Sequence, residues 1–167
     1  PVMQRGLEIA KRNNVPTILN PAPAVTLPDE VYGLCDYFTP NETEASFLAG
    51  IPVETTEQAS EAAQIFIERG VKTAVITLGE NGVYVQNSEI SQHVPAFIMG
   101  DKVLETTGAG DAFNGGFAYA LAEGMALTEA VSYGSATAAI SVTRLGTAPA
   151  MPYKTEIQEL LDSEKNQ

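Results

Sequence analysis

The segment 107–116 consists almost entirely of small residues, and it surrounds a single carboxylate, that of Asp111. The backbone N–H groups of Gly108, Ala109 and Gly110 could approach an anion closely, because these residues carry little or no side chain. If a helix starts here, its positive end adds to that attraction. Asp111 is itself an anion, so it would accept a proton from a nearby hydroxyl group rather than bind a phosphate. The pattern is suited to the transfer of a phosphoryl group to an alcohol.

The same residues admit a simpler interpretation. Asp111 could be a favourable acid in the first turn of a helix, and the glycines could serve the packing of that helix. Phe113, Phe117 and Leu121 have the spacing of a core-facing helical stripe. Composition and spacing alone leave both interpretations open.

Helical and strand-like periods alternate along the chain, and this alternation predicts the elements that position Asp111. Strands are predicted at 16–20, 36–40, 72–79 and 82–86, with further short strands within 89–106, and helices at 2–13, 42–49, 56–70, 109–123, 127–143 and 153–163. Asn41 and Thr56 are the predicted caps of the helices at 42–49 and 56–70.

Strands that alternate with helices predict an α/β fold, in which a doubly wound and mostly parallel sheet is covered by helices on both faces, in three αβα layers. Ligands of such sheets bind beyond the carboxyl ends of the strands. The segment VLETT at 103–107 is therefore predicted to be the end of a strand that leads to Asp111.

Composition limits the class of protein. The 167 residues are 44% hydrophobic and 18% charged, which predicts one globular domain over residues 1–167. A formal net charge of -12 argues against nucleic acid or an anionic membrane as the main partner. No apolar run approaches the roughly 18 residues that a spanning helix needs, and the first residues lack the apolar part of a secretory signal. The single cysteine, Cys35, favours a reducing compartment, so we expect a cytoplasmic protein.

Four motifs, in this order, resemble the ribokinase-like (PfkB) family of carbohydrate and nucleoside kinases: NPAPA at 20–24, TPNETEA at 39–45, VITLGENGVYV at 75–85 and TTGAGDAFNGG at 106–116. Four ordered motifs are far more specific than one glycine-rich loop. The resemblance implies the fold of that family and an ATP-dependent kinase activity. NPAPA followed by PNETEA is similar to the ribose-phosphorylating members, which implies the conversion of D-ribose to D-ribose 5-phosphate. Another sugar or nucleoside acceptor, or a nucleotide-binding module without catalysis, remains an alternative.

The resemblance also assigns roles to residues. Asp111 corresponds to the catalytic base, and Gly108, Ala109 and Gly110 correspond to the anion hole for the migrating phosphoryl group. The residues implied for nucleotide and Mg²⁺ binding are Asn41, Glu44, Thr77, Gly79, Asn81, Gly82 and Ser135. Magnesium is held partly by water and phosphate, so a single carboxylate at Glu44 is chemically sensible. Without the other motifs, Asn41 and Glu44 would indicate only a helix cap followed by exposed acids.

A potassium site beside the anion hole is a further implication of the resemblance, built largely from backbone carbonyl oxygens. By position it would use Glu105, Thr107, Ser141, Arg144, Gly146 and Ala150. The ribose-phosphorylating members usually have Asp where this chain has Glu105, and the additional methylene moves the carboxylate by more than a bond length.

Members of the family also carry a sugar-binding Asp, a Gly-Gly-Lys segment and a small β-sheet lid that forms a dimer contact. None of these has a counterpart in the 167 residues. We therefore interpret the sequence as the C-terminal, nucleotide-binding and catalytic part of such a kinase. We expect it to be inactive by itself, and we expect the complete protein to act on ATP and ribose as a homodimer.

Overall fold

The computed structural model describes residues 2–165 and contains a five-stranded sheet in the order β1-β2-β3-β4-β5. The strands are β1 (Ile18–Leu19), β2 (Tyr37–Phe38), β3 (Thr73–Thr77), β4 (Val83–Gln86) and β5 (Ser91–Val94). Strands β1, β2 and β3 pair in parallel, whereas β4 runs antiparallel to β3. The predicted α/β fold with a mostly parallel sheet is confirmed.

The helices are α1 (Val2–Arg12), α2 (Asp29–Tyr32), α3 (Glu42–Ala49), α4 (Thr56–Glu68), α5 (Ala109–Ala122), α6 (Leu127–Ser141) and α7 (Lys154–Lys165). Their ends agree with the predicted helices within the usual one or two residues, except that α2 was not predicted. Short 3-10 turns cover Gly79–Asn81, Gly100–Lys102 and Ala148–Ala150. No helix within residues 2–165 is long and apolar enough to cross a membrane.

The chain folds as two compact units. The first consists of the residues up to Gly79 together with Val83–His93, and it contains the parallel strands. Its core includes the rings of Tyr32, Phe38 and Phe66, with centroids of Phe38 and Phe66 5.1 Å apart. The second unit consists of Glu80–Gly82 and the residues from Val94 onward, and it contains α5, α6 and α7.

The predicted cap of α4 is wrong by one residue. Thr55, not Thr56, is the N-cap, and its hydroxyl accepts a hydrogen bond from the Gln58 backbone N–H. The Gln58 side chain accepts in return from the Thr55 backbone N–H. Because this reciprocal pair needs a Gln or Glu three residues after the cap, the spacing from Thr55 to Gln58 decides between the two threonines.

The strand predicted to end in VLETT is absent, since residues 95–107 contain only the turn at Gly100–Lys102. The backbone N–H groups of Leu104 and Glu105 both donate to the carbonyl oxygen of Val142, at distances of 2.8 and 3.2 Å. Val142 follows the last residue of α6. The extended segment is therefore held by the carboxyl end of a helix instead of a neighbouring strand.

Candidate active site

The first turn of α5 exposes backbone donors. Gly108 is the N-cap and has a left-handed conformation, with φ of 82°. The Ala109 N–H donates to the Thr106 carbonyl at 3.1 Å, and the Ala112 N–H donates to the Gly108 carbonyl at 2.9 Å. Because the helix begins at Ala109, the N–H groups of Gly110 and Asp111 lie before its first i to i−4 bond and have no intrahelical acceptor. Two adjacent donors are thus available to an anion at this end of the helix.

The glycines of this segment differ in what a side chain at each position would contact. A Cβ atom at Gly108 would lie 3.1 Å from Thr147 Cγ2, and at Gly116 it would lie 2.2 Å from Thr137 Oγ1. At Gly110 a Cβ atom would meet nothing within 4 Å. Gly116 therefore permits close packing of α5 against α6, whereas Gly110 borders open space. The packing interpretation therefore applies to Gly116, whereas the space at Gly110 is compatible with the predicted anion site.

The orientation of Asp111 follows from the buried face of α5. Phe113 and Phe117 are buried, and their rings stack with centroids 5.7 Å apart. Leu121, the third residue of the predicted stripe, is half-buried. Asp111 lies outside this stripe and is exposed. Its carboxylate is therefore accessible beside the free N–H groups of the first turn.

The residues implied for a potassium site make contacts of their own. Glu105 Oε2 accepts a hydrogen bond from the Gly146 backbone N–H at 2.9 Å, although 41 residues separate the two. The Ser141 carbonyl accepts from the Arg144 backbone N–H at 3.2 Å. Thr107 is exposed.

The remaining two positions are also engaged. Ala150 is buried, and its N–H donates to the Thr147 carbonyl at 3.0 Å. The guanidinium group of Arg144 pairs with the Glu156 carboxylate, and this hydrogen bond lowers the pKa of Glu156. Glu156 Oε2 also accepts from the Tyr153 backbone N–H at 2.8 Å.

In the first unit, Asn41 and Glu44 form a capping box at the start of α3. Asn41 Oδ1 accepts from the Glu44 backbone N–H at 2.8 Å, and Glu44 Oε2 accepts from the Asn41 backbone N–H at 2.9 Å. Glu44 is only 9% exposed, so it is not the exposed acid that the cap interpretation implied. The Asn cap is present, but its acid partner is a buried carboxylate.

The carboxyl ends of β2 and β3 bring two further predicted residues to Asn41. Asn41 forms an isolated parallel bridge with Thr77, and the Thr77 N–H donates to the Pro40 carbonyl at 3.0 Å. Gly79, two residues later, has φ of 54°, and a Cβ atom there would lie 3.8 Å from Glu42 Oε1. The sheet therefore collects Asn41, Thr77 and Gly79 at one edge, as expected for parallel strands.

Asn20 is a residue at this edge to which the sequence analysis assigned no role. It directly follows β1, and its Oδ1 atom is buried without a hydrogen-bond partner among residues 2–165. A buried acceptor without a partner is unfavourable, which makes it a place where a ligand donor would bind well. The available signal was its position as the first residue of NPAPA.

The other predicted nucleotide-binding residues lie in the second unit. Asn81 ends the turn Gly79–Asn81, and Gly82 has φ of 90°. A Cβ atom at Gly82 would lie 2.2 Å from the Val94 carbonyl oxygen, so close backbone approach requires glycine there. Ser135 is buried in α6, and its Oγ atom has no hydrogen-bond partner in the part of the chain that the structure describes.

The arrangement of acids bears on metal binding. Residues 2–165 contain no cluster of three His, Cys, Asp or Glu side chains that could hold a metal ion. Mg²⁺ is commonly bound by one or two carboxylates together with water and substrate phosphates. Glu44, with one oxygen bonded to Asn41, fits that sparse kind of site.

Comparisons with known proteins agree with these motifs. A family model described as pfkB family carbohydrate kinase matches residues 1–154. The chain is 44% identical over 155 residues to a ribokinase of Haemophilus influenzae, which covers 93% of this chain and 50% of that protein. It is 36% identical over 156 residues to a deoxyribokinase of Salmonella typhi, again covering 93% and 50%.

A solved structure of Arabidopsis thaliana ribokinase complexed with ribose and ATP is also similar, with a TM-score of 0.90 and 33% identity. The match covers 96% of this chain and 52% of that one. The chain thus spans about half the length of the relatives that it matches.

Proposed function

Because the chain belongs to the pfkB family of carbohydrate kinases, we propose that it supplies the nucleotide-binding and catalytic part of an ATP-dependent kinase for D-ribose. The observation that carries this proposal is the first turn of α5. There an exposed carboxylate, Asp111, lies beside two N–H groups without intrahelical acceptors, at a glycine bordered by open space. Donors that could bind the phosphoryl group and a carboxylate that could accept a proton are thereby next to each other.

The reaction assigns one task to each group. The carboxylate of Asp111 accepts the proton of a sugar hydroxyl as that oxygen forms a bond to the γ-phosphorus of ATP. The bond between this phosphorus and the bridging oxygen breaks, and ADP leaves. The N–H groups of Gly110 and Asp111 stabilise the charge on the phosphoryl oxygens during transfer, and Gly108 and Ala109 line the same turn. Their fixed position at a helix start means that little reorganisation is needed.

Residues of the first unit serve the nucleotide phosphates in this proposal. Mg²⁺, when bound, neutralises phosphate charge, and Glu44 would hold it through water, with Asn41 close to the phosphates. The unpartnered Oδ1 of Asn20 is an acceptor at the same edge of the sheet, so it would bind a hydroxyl group or a water molecule and not a phosphate oxygen. Thr77 and Gly79 lie beside Asn41 and would border the nucleotide.

We propose that Asn81, Gly82 and Ser135 contact the base and ribose part of ATP. The buried Ser135 Oγ, which lacks a partner within residues 2–165, supports a hydrogen bond to the nucleotide at that point. A potassium ion at Glu105, Thr107, Ser141, Arg144, Gly146 and Ala150 stays a prediction. A homodimer of the complete protein and a cytoplasmic location are parts of the same proposal, and the buried single thiol of Cys35 is compatible with a reducing compartment.

The identity of the phosphorylated sugar is the most specific part of the proposal. A ribokinase at 44% identity and a deoxyribokinase at 36% identity support a pentose acceptor, with the higher similarity on the side of ribose. The alternative is a module that binds nucleotide without catalysis.

A coupled ADP-release assay on the complete gene product tests these alternatives. We expect sugar-dependent ADP release, with a higher kcat/KM for D-ribose than for 2-deoxy-D-ribose. A higher kcat/KM for 2-deoxy-D-ribose would mean that the protein is a kinase whose preferred sugar is 2-deoxy-D-ribose. If calorimetry detected ATP binding but no sugar caused ADP release, the protein would be a nucleotide-binding module without catalysis.

A further inference from the structure

We propose that Glu105 is a positioning residue for the first turn of α5, and that it acts through a direct hydrogen bond to the loop 142–147. The proposal rests on the function proposed above for that turn. The bond joins Glu105 Oε2 to the Gly146 backbone N–H over 2.9 Å. Glu105 is half-buried, so water competes only partly for its carboxylate.

The loop reached by Glu105 touches the N-cap of α5. Thr147 directly follows Gly146, and its Cγ2 atom lies 3.1 Å from the position that a Cβ atom of Gly108 would take. Gly108 holds the left-handed conformation from which α5 begins. A displacement of Thr147 would therefore remove the packing that confines this turn. The N–H groups of Gly110 and Asp111 would then no longer be held in one direction.

A second contact explains why the side chain of Glu105 matters. The N–H groups of Leu104 and Glu105 fix this segment to Val142 at the start of the loop, and the Glu105 carboxylate fixes it to Gly146 near the end. Two attachments four residues apart leave the intervening loop little freedom. Without the carboxylate, the hydrogen bonds from this segment to the loop within residues 2–165 would be those to Val142.

The same contact gives Glu105 a role that does not need an ion. A hydrogen bond between a carboxylate and a backbone N–H is among the stronger kinds, because one partner is charged. The longer side chain of Glu allows the carboxylate to reach the N–H of Gly146 itself. We infer that this bond holds the loop even when no monovalent cation is bound.

Hydrogen–deuterium exchange of the complete gene product, without substrates, tests the proposal. The measured amides are the hydrogen-bonded ones within 108–112 (Ala109 and Ala112) and within 143–147 (Thr143, Arg144 and Gly146), in NaCl and in KCl at equal ionic strength. We expect Glu105→Ala to raise exchange in both segments by about tenfold or more, the scale of a lost hydrogen bond to a charged group. Glu105→Gln keeps an acceptor oxygen at the same reach, so exchange should stay within about threefold of wild type.

Glu105→Asp distinguishes the effect of the negative charge from the effect of the side-chain length. It keeps the carboxylate but shortens the side chain by one methylene, so we expect exchange to rise nearly as much as in Glu105→Ala. Glu159→Ala, which removes an exposed acid from α7, is the control and should leave both segments unchanged. If Glu105→Ala fails to fold, the comparison of Glu105→Gln with Glu105→Asp still decides the question.

Two results would overturn the proposal. One is unchanged exchange at 108–112 in folded Glu105→Ala or Glu105→Asp. The other is exchange that Glu105→Ala raises in KCl but not in NaCl, since the carboxylate would then act through a potassium ion and not through its hydrogen bond. Kinase assays add an independent readout, in which Glu105→Ala should lower kcat by about tenfold with little change in KM for ribose, and Glu105→Gln should restore it. If wild type lacks kinase activity, the proposed function fails, but the exchange data still decide the role of Glu105.

Discussion

At the scale of single residues, the glycines around Asp111 differ in what surrounds them. Gly108 is required by its left-handed backbone, and Gly116 by its contact with Thr137. Gly110 and Gly115 both face open space, but only Gly110 belongs to the first turn of α5. A comparison of substitutions at Gly110 and Gly115 therefore distinguishes an effect on the proposed anion site from a general effect on helix α5.

Gly110→Val should abolish most activity of the complete protein, whereas Gly115→Val should retain it. A valine at 110 would occupy the space proposed for the phosphoryl group, and we expect kcat to fall by about a hundredfold or more. Neither Cβ atom meets a neighbour, so the two variants should have similar melting temperatures. Equal kcat values for the two variants would remove Gly110 from the anion hole.

The sequence predicts some of these residues and not others. Asn41 was identified as a cap because a capping residue directly precedes a helical pattern, which is local information. The burial of Glu44 was not predicted, because it depends on how α3 packs on the sheet. The hydrogen bond from the Gly146 backbone N–H to the Glu105 carboxylate could not be predicted either, since no periodicity relates residues 41 positions apart.

At the scale of elements, close packing of α5 on α6 sets the position of the first turn of α5, the proposed catalytic turn. A Cβ atom at Gly116 would lie 2.2 Å from Thr137 Oγ1, and a Cβ atom at Gly134 would lie 2.9 Å from the Phe113 carbonyl oxygen. Glycines on both helices thus allow the two backbones to approach.

Gly116→Ala should destabilise the protein, because the helices must separate or distort to admit the methyl group. We expect a loss of about 1 to 3 kcal/mol in the free energy of unfolding, the usual scale of overpacking. Gly115→Ala, one residue earlier and facing open space, is the matched control and should not destabilise. Urea unfolding measures both, and equal stability of the two variants would contradict this packing.

The amino ends of the three parallel strands are joined by one carboxylate. Asp36 Oδ2 accepts from the backbone N–H and the hydroxyl of Thr17, and Asp36 Oδ1 pairs with Lys72. Burial raises the pKa of Asp36, but the hydrogen bonds from Lys72 and Thr17 outweigh that effect and lower it overall. The charged form of Asp36 therefore stabilises the folded state.

Asp36→Asn should be destabilising at neutral pH, and its effect should shrink in acid. A lowered folded pKa means that the contribution of Asp36 is fully present above the unfolded value of about 3.9 and is lost as pH falls through the folded value. Urea unfolding of wild type and Asp36→Asn at several pH values between 7 and 3 measures the difference. A difference that stays constant over this range would show that the charge of Asp36 contributes nothing.

The elements were largely predictable because helical periods are strong local signals. The two failures have different causes, one non-local and one local. VLETT has the composition of a strand, but its N–H groups bond to the end of α6, 37 or 38 residues further along the chain. At α4, two adjacent threonines offered the same cap chemistry, and only the partner Gln58 distinguishes them.

At the scale of the whole molecule, charge and length both affect what the chain can do. A net charge of -12 repels phosphates, so the proposed binding of ATP would depend on local donors such as the first turn of α5 and on Mg²⁺. The chain spans about half the length of its ribokinase relatives. No segment that resembles the family's sugar-binding motifs occurs in its sequence.

The 167-residue chain alone should therefore bind ATP but not phosphorylate ribose at an enzymatic rate. Positioning of the reacting hydroxyl can contribute roughly 7 to 11 kcal/mol, and this contribution is lost when nothing holds the sugar. We expect ribose-dependent ADP release at least about a thousandfold below that of the complete protein, with calorimetry confirming that the chain still binds ATP. Comparable rates would mean that the acceptor site lies within these residues.

The most direct test of the central claim is transfer of labelled γ-phosphate from ATP to ribose, measured in single turnovers by the complete protein and its Asp111→Asn variant. Asp111→Asn keeps the shape of the side chain but removes the proton acceptor, so we predict near-normal ATP affinity with transfer slowed by about a hundredfold or more. Asp101→Asn, at an exposed acid in the turn Gly100–Lys102, is the matched control and should transfer phosphate at the wild-type rate. Transfer by Asp111→Asn at the wild-type rate would contradict the assignment of the first turn of α5 as the catalytic centre.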